Sequence, residues 1–259
     1  MDIKTQSLQI GYGGKPVVNC LDIEIKQGKI TSIIGPNGSG KSTVLKALTR
    51  LLSFKQGHVF FDGRDIKSFE SKEFARSVGV LPQIHSAPPD FQVKELVGYG
   101  RIPYQKWYEK NSDEDNAIID WAMKATGVWN LREKSIQSCS GGESQRVWIA
   151  TVLSQKPDVL FLDEPTTYLD IAHQLEMMQL IKKLNRENNI GVVMVLHDLA
   201  QALEVSDWIV VIKDGQKYDE GTPEKVITSR MMKDVYDVDC DIIYVDGRKK
   251  PLIAYKELA

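Results

Sequence analysis

The sequence predicts an α/β fold: a mostly parallel sheet with further strands at the N-terminal end and a helical insertion near the middle. Three observations point to it. A glycine-rich turn joins an apolar strand to a helix near residue 40. Strands alternate with helices after residue 155, as in βαβ units. Between them, from about residue 84, strand texture gives way to helical periodicity. The chain has 259 residues, 42% hydrophobic and 26% charged, which suits a globular protein with a sizeable core.

Taken in order, "VVNCLDIEI" alternates apolar and polar positions with period two and reads as a half-buried strand. "ITSII" leads into "GPNGSGKST" and the helix-like "TVLKALTRLL". "HVFFDGRDI" is a strand entering an Asp-Gly turn, and "VGVLPQ" a strand stopped by proline. In "AIIDWAMKATG", Ile118, Trp121, Ala122 and Ala125 share one helical face. "VLFL", "GVVMVL" and "WIVVI" then read as buried strands, with helices "AHQLEMMQLIKKLNREN" and "LAQALEV" between them. The tail reads as a hairpin turning at Asp246-Gly247. The expected organisation is one domain over 1–259. Its catalytic α/β core covers 1–83 and 156–240, its helical part 84–155, and its C-terminal hairpin 241–259.

Net charge is −2, with no long run of one sign, which speaks against nucleic acid as a partner. Cys20, Cys139 and Cys240 are far apart and lack CxxC spacing, so neither a disulfide framework nor a zinc site is expected, and a reducing compartment is. No basic segment followed by an apolar stretch opens the chain, and the apolar runs fall short of the ~18–20 residues that span a bilayer.

Gly35, Pro36, Asn37, Gly38, Ser39, Gly40, Lys41 and Ser42 fit G-x-x-x-x-G-K-[ST] between a strand and a helix, with Thr43 directly after them. Glycines let successive backbone amides wrap a polyphosphate; Lys41 would reach the β- and γ-phosphates and Ser42 would bind Mg²⁺. The alternative, a plain glycine-rich βα turn, is weakened by the strand that precedes the match and the helix that follows it. Asp163 and Glu164 end the strand in "VLFLDEP". Two adjacent acids are commonly a solvated strand end, but beside a phosphate loop Asp163 suits the magnesium shell and Glu164 a general base. His197 and Gln83 also close apolar strands; an isolated histidine there is more often structural, but ligands of parallel sheets gather at such ends. The second glycine-bearing helix start, "SCSGGESQR", carries neither lysine nor a carboxylate placed for a metal.

This set resembles the ATP-binding subunit of ABC transporters over nearly the whole chain. "GPNGSGKST" is similar to the Walker A motif, "VLFLDEP" to Walker B, Gln83 to the Q-loop glutamine, Asp170 in "YLD" to the D-loop, and His197 to the switch histidine. Tyr12 resembles the aromatic that stacks on adenine, and "CSGGE" resembles the signature LSGGQ, with Cys139 for leucine and Glu143 for glutamine. The resemblance implies a RecA-like P-loop NTPase core, an N-terminal antiparallel β subdomain and a helical subdomain insertion. It implies ATP and Mg²⁺ as ligands, with Ser42, Gln83 and Asp163 at the metal and Glu164 and His197 as catalytic residues. It also implies an ATP-sandwiched homodimer in which Ser140, Gly141, Gly142, Glu143 and Asp170 serve the second copy's site. Glu143 near a phosphate is tolerable only if it points aside or caps its helix.

"DEPTTYLDIAHQLEMMQLIKKLN" and "VKELVGYGRIPYQKW" resemble the ATPases of ferric-siderophore importers. That implies permease subunits in the membrane, an extracytoplasmic substrate-binding protein, and a peripheral place on the cytoplasmic face of the cell membrane. Haem, cobalamin or another metal chelate is the alternative cargo, and a non-transport ABC ATPase the alternative class. Tyr99, Tyr104, Trp107 and Tyr108 fit either a groove for a permease helix or closure of the helical part's own core.

Overall fold

A computed structural model describes the chain except residues 14, 89, 107–110, 249 and 259. The chain forms two compact units, Met1–Lys67 with Val193–Ala259, and Ser68–Val192.

The first unit opens with β1 (Ile3–Tyr12), β2 (Lys15–Leu21), β3 (Glu24–Ile25), β4 (Ile30–Ile34), α1 (Lys41–Leu48), β5 (Gln56–Phe61) and β6 (Arg64–Asp65). β1 is central to an antiparallel sheet of order β2-β1-β5-β6, with β3 also on β1. "VVNCLDIEI" is therefore two strands rather than one. The break falls where Asp22 accepts from Ser7 N at 2.6 Å and Ile23 N donates to Thr5 Oγ1 at 2.9 Å, so the chain re-registers on β1. Ile3 pairs with Ile25 on one side and Phe61 on the other, and all three are buried.

The second unit holds α2 (Ser71–Ser77), β7 (Val78–Leu81), α3 (Val93–Gly98), α4 (Asp113–Ala125), α5 (Gly141–Leu153), β8 (Val159–Asp163) and α6 (Ile171–Asn188). β7 runs parallel to β8, Val78 opposite Val159. On α4 the buried face is Asp115, Ile119, Ala122 and Met123; Ile118, Trp121 and Ala125 are only half-buried. The face is turned one residue from the expected one, because two adjacent isoleucines make the period ambiguous. The anchor that decides it is polar: Arg101 Nε donates to Asp115 Oδ1 at 2.7 Å, and Arg101 Nη1 to Ser154 O at 2.8 Å. That ties α4 to the far end of the helix that starts at the signature loop.

β9 (Gly191–Val195) is the strand at which the chain divides. The first unit resumes with α7 (Leu199–Val205), β10 (Trp208–Lys213), β11 (Gln216–Gly221), α8 (Pro223–Val226), α9 (Ser229–Tyr236), β12 (Val238–Ile243) and β13 (Leu252–Leu258). β10 lies parallel to β4, Val210 opposite Ile33, and β11 is its antiparallel edge neighbour. β4 is buried at every residue, as expected for a parallel strand covered on both faces. β12 and β13 pair as a hairpin, with Gly247 at φ +80° in the turn. Among the described residues no helix is long and apolar enough to cross a membrane.

Candidate nucleotide-binding site

In the first unit, β4 delivers the chain into the loop 35–40 and then into α1. Gly35 has φ +150°, and a Cβ there would lie 2.0 Å from the Ile212 carbonyl oxygen, so only glycine fits. Gly38 and Gly40 also have positive φ, +78° and +102°. Gly40 is the N-cap of α1, with no side-chain cap and no acid in the first turn. With neither a capping side chain nor an acid there, that helix start suits an anion at the positive end of its dipole. Lys41 is buried, and its ammonium donates to the carbonyls of Gly35 (3.0 Å) and Pro36 (2.9 Å), which bends it back over the loop. The buried Ser39 hydroxyl has no hydrogen-bond partner among the described residues, an orphan that a phosphate oxygen would satisfy. The loop thus fits a polyphosphate. Pro36 is half-buried, Asn37 exposed, and Ser42 and Thr43 half-buried in the first turn of α1.

Tyr12 ends β1, about half exposed, and lines a cleft of about 340 Å³ with Gly11, Lys15, Pro16 and Leu52. No phosphate-loop residue lines that cleft. His197 follows β9 and is exposed. One residue was not foreseen: Tyr236 of α9, whose hydroxyl meets the Gly35 backbone amide. Burial first of all pushes its phenol well above the ordinary value.

In the second unit, Asp163 is the buried last residue of β8. Glu164 follows at φ +55°, a left-handed conformation uncommon for a non-glycine residue and typical of strained functional positions. Its Oε2 accepts from Gln83 Nε2 at 2.6 Å and from Thr167 Oγ1 at 3.0 Å. Gln83 is thus brought onto the expected base across 81 positions of sequence, and the amide oxygen it keeps can serve a cation. Within the second unit the donors expected at a metal, the Gln83 amide oxygen and the Asp163 carboxylate, are oxygens, which suits a hard divalent cation.

The signature loop starts α5. Ser140 Oγ accepts from Glu143 N at 3.3 Å, and Glu143 Oε2 accepts from Ser140 N at 2.8 Å, a closed capping box. Glu143 therefore points aside and caps its helix. Those bonds, the one to the Ser140 backbone first, hold its carboxyl below the ordinary value, with Lys134 3.6 Å away adding to them. Cys139 is half-buried, and burial raises its thiol above the ordinary value. Asp170 caps α6 by accepting from His173 N at 2.9 Å.

The aromatic cluster divides. Tyr99 lines a groove of about 240 Å³ with Pro82, Ile84, His85, Trp148 and Gln155. Tyr104 instead donates to Gln155 O at 2.8 Å and lies 3.8 Å from the Arg101 guanidinium, part of the unit's own framework. Trp107 and Tyr108 lie outside the described residues.

A phosphate loop opening a helix, an α/β core and an acidic strand end define a P-loop nucleoside triphosphatase. The family model for ABC transporters matches residues 18–167. The chain is 43% identical to the iron(3+)-hydroxamate import ATP-binding protein of Bacillus subtilis (strain 168), over 96% of this chain and 93% of that one. It is 41% identical to the ferric enterobactin transport ATP-binding protein of Escherichia coli (strain K12), over 97% and 93%. The dimeric structure of a bacterial ABC transporter cassette superposes with a TM-score of 0.73 at 28% identity, covering 85% of this chain and 98% of that one. The chain belongs to the ABC transporter family and is an ABC-type ATPase that binds ATP.

Proposed function

We propose that this chain is the ATPase subunit of an importer of ferric siderophores, held peripherally on the cytoplasmic face of the cell membrane by permease subunits. An extracytoplasmic binding protein would deliver the cargo. The cargo reading is supported by the likeness to the hydroxamate and enterobactin import ATPases. The mechanistic reading is carried by one observation, the two hydrogen bonds that orient Glu164.

In that reading the loop amides and Lys41 bind the β- and γ-phosphates, Tyr12 stacks on adenine, and His197 contacts the γ-phosphate. Ser42, Asp163 and Gln83 would hold Mg²⁺, which neutralises phosphate charge. Glu164 takes a proton from the attacking water, its orientation set by Gln83 and Thr167. A second copy of the chain supplies Ser140, Gly141, Gly142, Glu143 and Asp170 to the same ATP. ATP then favours the paired state and its hydrolysis releases it. The groove lined by Tyr99, Ile84 and Trp148 receives a permease helix, with Ile84, 84% exposed, as its apolar contact.

The test is uptake of labelled ferric chelates by cells lacking this subunit. The wild-type gene should restore uptake. Glu164→Gln should not, while the purified variant still binds ATP with hydrolysis lower by ~10²–10⁴-fold. Uptake unaffected by loss of the subunit would overturn the cargo reading, and full hydrolysis by the variant would overturn the role of Glu164.

A further inference from the structure

The two glycines of the signature loop have different surroundings. Apart from its chain neighbours and its own turn of helix, no atom of the described residues lies within 4 Å of where a Gly141 side chain would begin. Gly142 is buried, and a Cβ there would lie 2.6 Å from Cδ2 of His173 and 3.2 Å from its Nε2. The other edge of the same ring is held as well: His173 Nδ1 lies 2.8 Å from Asp170 Oδ1, the oxygen that also accepts from His173 N. One turn further along, Arg146 of α5 meets Glu176 of α6 at 3.0 Å, an exposed pair that solvent screens.

We propose that His173 is a positioning residue that joins the signature loop to Asp170, so that one subunit presents both to its partner as a single piece. Donation from Nδ1–H to the Asp170 carboxylate fixes the ring and leaves the Cδ2–Nε2 edge against Gly142. Glycine is required at 142 because the imidazole fills the space of a side chain. It is not required there for closeness to a phosphate, a part the open surroundings of Gly141 fit better. Without the ring, Asp170 still caps α6 through the residue-173 amide, so the fold persists while loop and aspartate lose their common reference. Displacements of about 1 Å at such a point weaken a site severely. The proposal rests on the two-copy reading above.

The experiment uses the full chain carrying Glu164→Gln, with dimer formation followed by light scattering against ATP concentration. Adding His173→Ala should raise the ATP needed for dimerisation by about tenfold. Adding His173→Asn instead, whose amide nitrogen and oxygen can take the places of Nδ1 against Asp170 and Cδ2 against Gly142, should stay close to the parent. ATP binding at protein concentrations too low for dimers should be unchanged in both. Gly142→Ala should impair dimerisation when His173 is present, yet add little once residue 173 is alanine, because the ring it strikes is gone. Equal ATP requirements for parent and His173→Ala, or independent additive losses from the two changes, overturn the proposal. A Glu164→Gln parent that never dimerises overturns the two-copy reading and this proposal with it, an outcome distinct from the other two.

Discussion

The phosphate loop and the signature loop both place glycines and a serine at the start of a helix, but they leave those starts in opposite condition. At α1 the N-cap is Gly40, with no side-chain cap and no acid in the first turn. At α5 the N-cap is Ser140, whose hydroxyl and backbone amide are both engaged by Glu143. The first start has no side chain of its own where an anion would sit and bends a buried lysine over the gap. The second has already satisfied part of its donor set from its own sequence, and it carries a carboxylate where an anion would otherwise compete. Similar residue types thus make one complete anion site and one that offers only its remaining amides and its dipole. The shorthand "glycine-rich loop" hides this difference, because the capping residue, not the glycine count, decides it.

The comparison can be broken from either side. The largest effect should come from the far end of the signature helix. Arg101→Met leaves Asp115 buried without its cation, and urea unfolding should show a loss of about 3–5 kcal/mol. Burial alone would raise the Asp115 carboxyl, but the hydrogen bonds from Arg101 and Ser112 outweigh it and hold the group below its ordinary value. A depressed folded value means this contribution is present above the unfolded value of about 3.9 and is lost as pH falls through the folded one. Below about pH 4 the wild type should therefore lose stability more steeply than Arg101→Met, and parallel acid profiles would contradict the anchor.

Gly35→Ala should come next. A side chain at φ +150°, 2.0 Å from the Ile212 oxygen, strains the loop by up to about 3 kcal/mol. Calorimetry with ATP should find binding lost, whereas Gly141→Ala should leave both folding and ATP binding by the monomer intact. Equal damage from the two alanines would erase the contrast between the loops. Ser140→Ala removes a cap and should cost about 1 kcal/mol in thermal unfolding. Smallest of all, Cys139→Leu should change stability by less than about 0.5 kcal/mol and leave ATP hydrolysis near normal. A collapse of hydrolysis would make the cysteine a working residue.

Legibility in the sequence followed the range of the interaction. The phosphate loop is an eight-position pattern whose geometry is local, and β8 and β10 could be read from unbroken apolar runs. β11, "QKYDEG", was missed because an exposed edge strand has little apolar alternation to show. The buried face of α4 was misjudged by one position, because the deciding contact comes from Arg101, fourteen residues away. His173 does carry a local sign, Asp170 three residues before it, which is a capping spacing. Nothing local says that its ring lies against Gly142.

By itself the sequence determined that a triphosphate loop joins a strand to a helix in an α/β fold, that acids close another apolar strand, and that a second glycine-bearing helix start lacks what the first one has. These follow from residue type and short spacing, which act through backbone conformation and burial period. Only the tertiary structure decided that Gln83 reaches Glu164, that the Glu143 carboxylate turns to Ser140 N, and that the His173 ring lies against Gly142. Those are contacts between side chains distant in sequence or turned by rotamer, and no pattern of types along a chain encodes where two such groups meet.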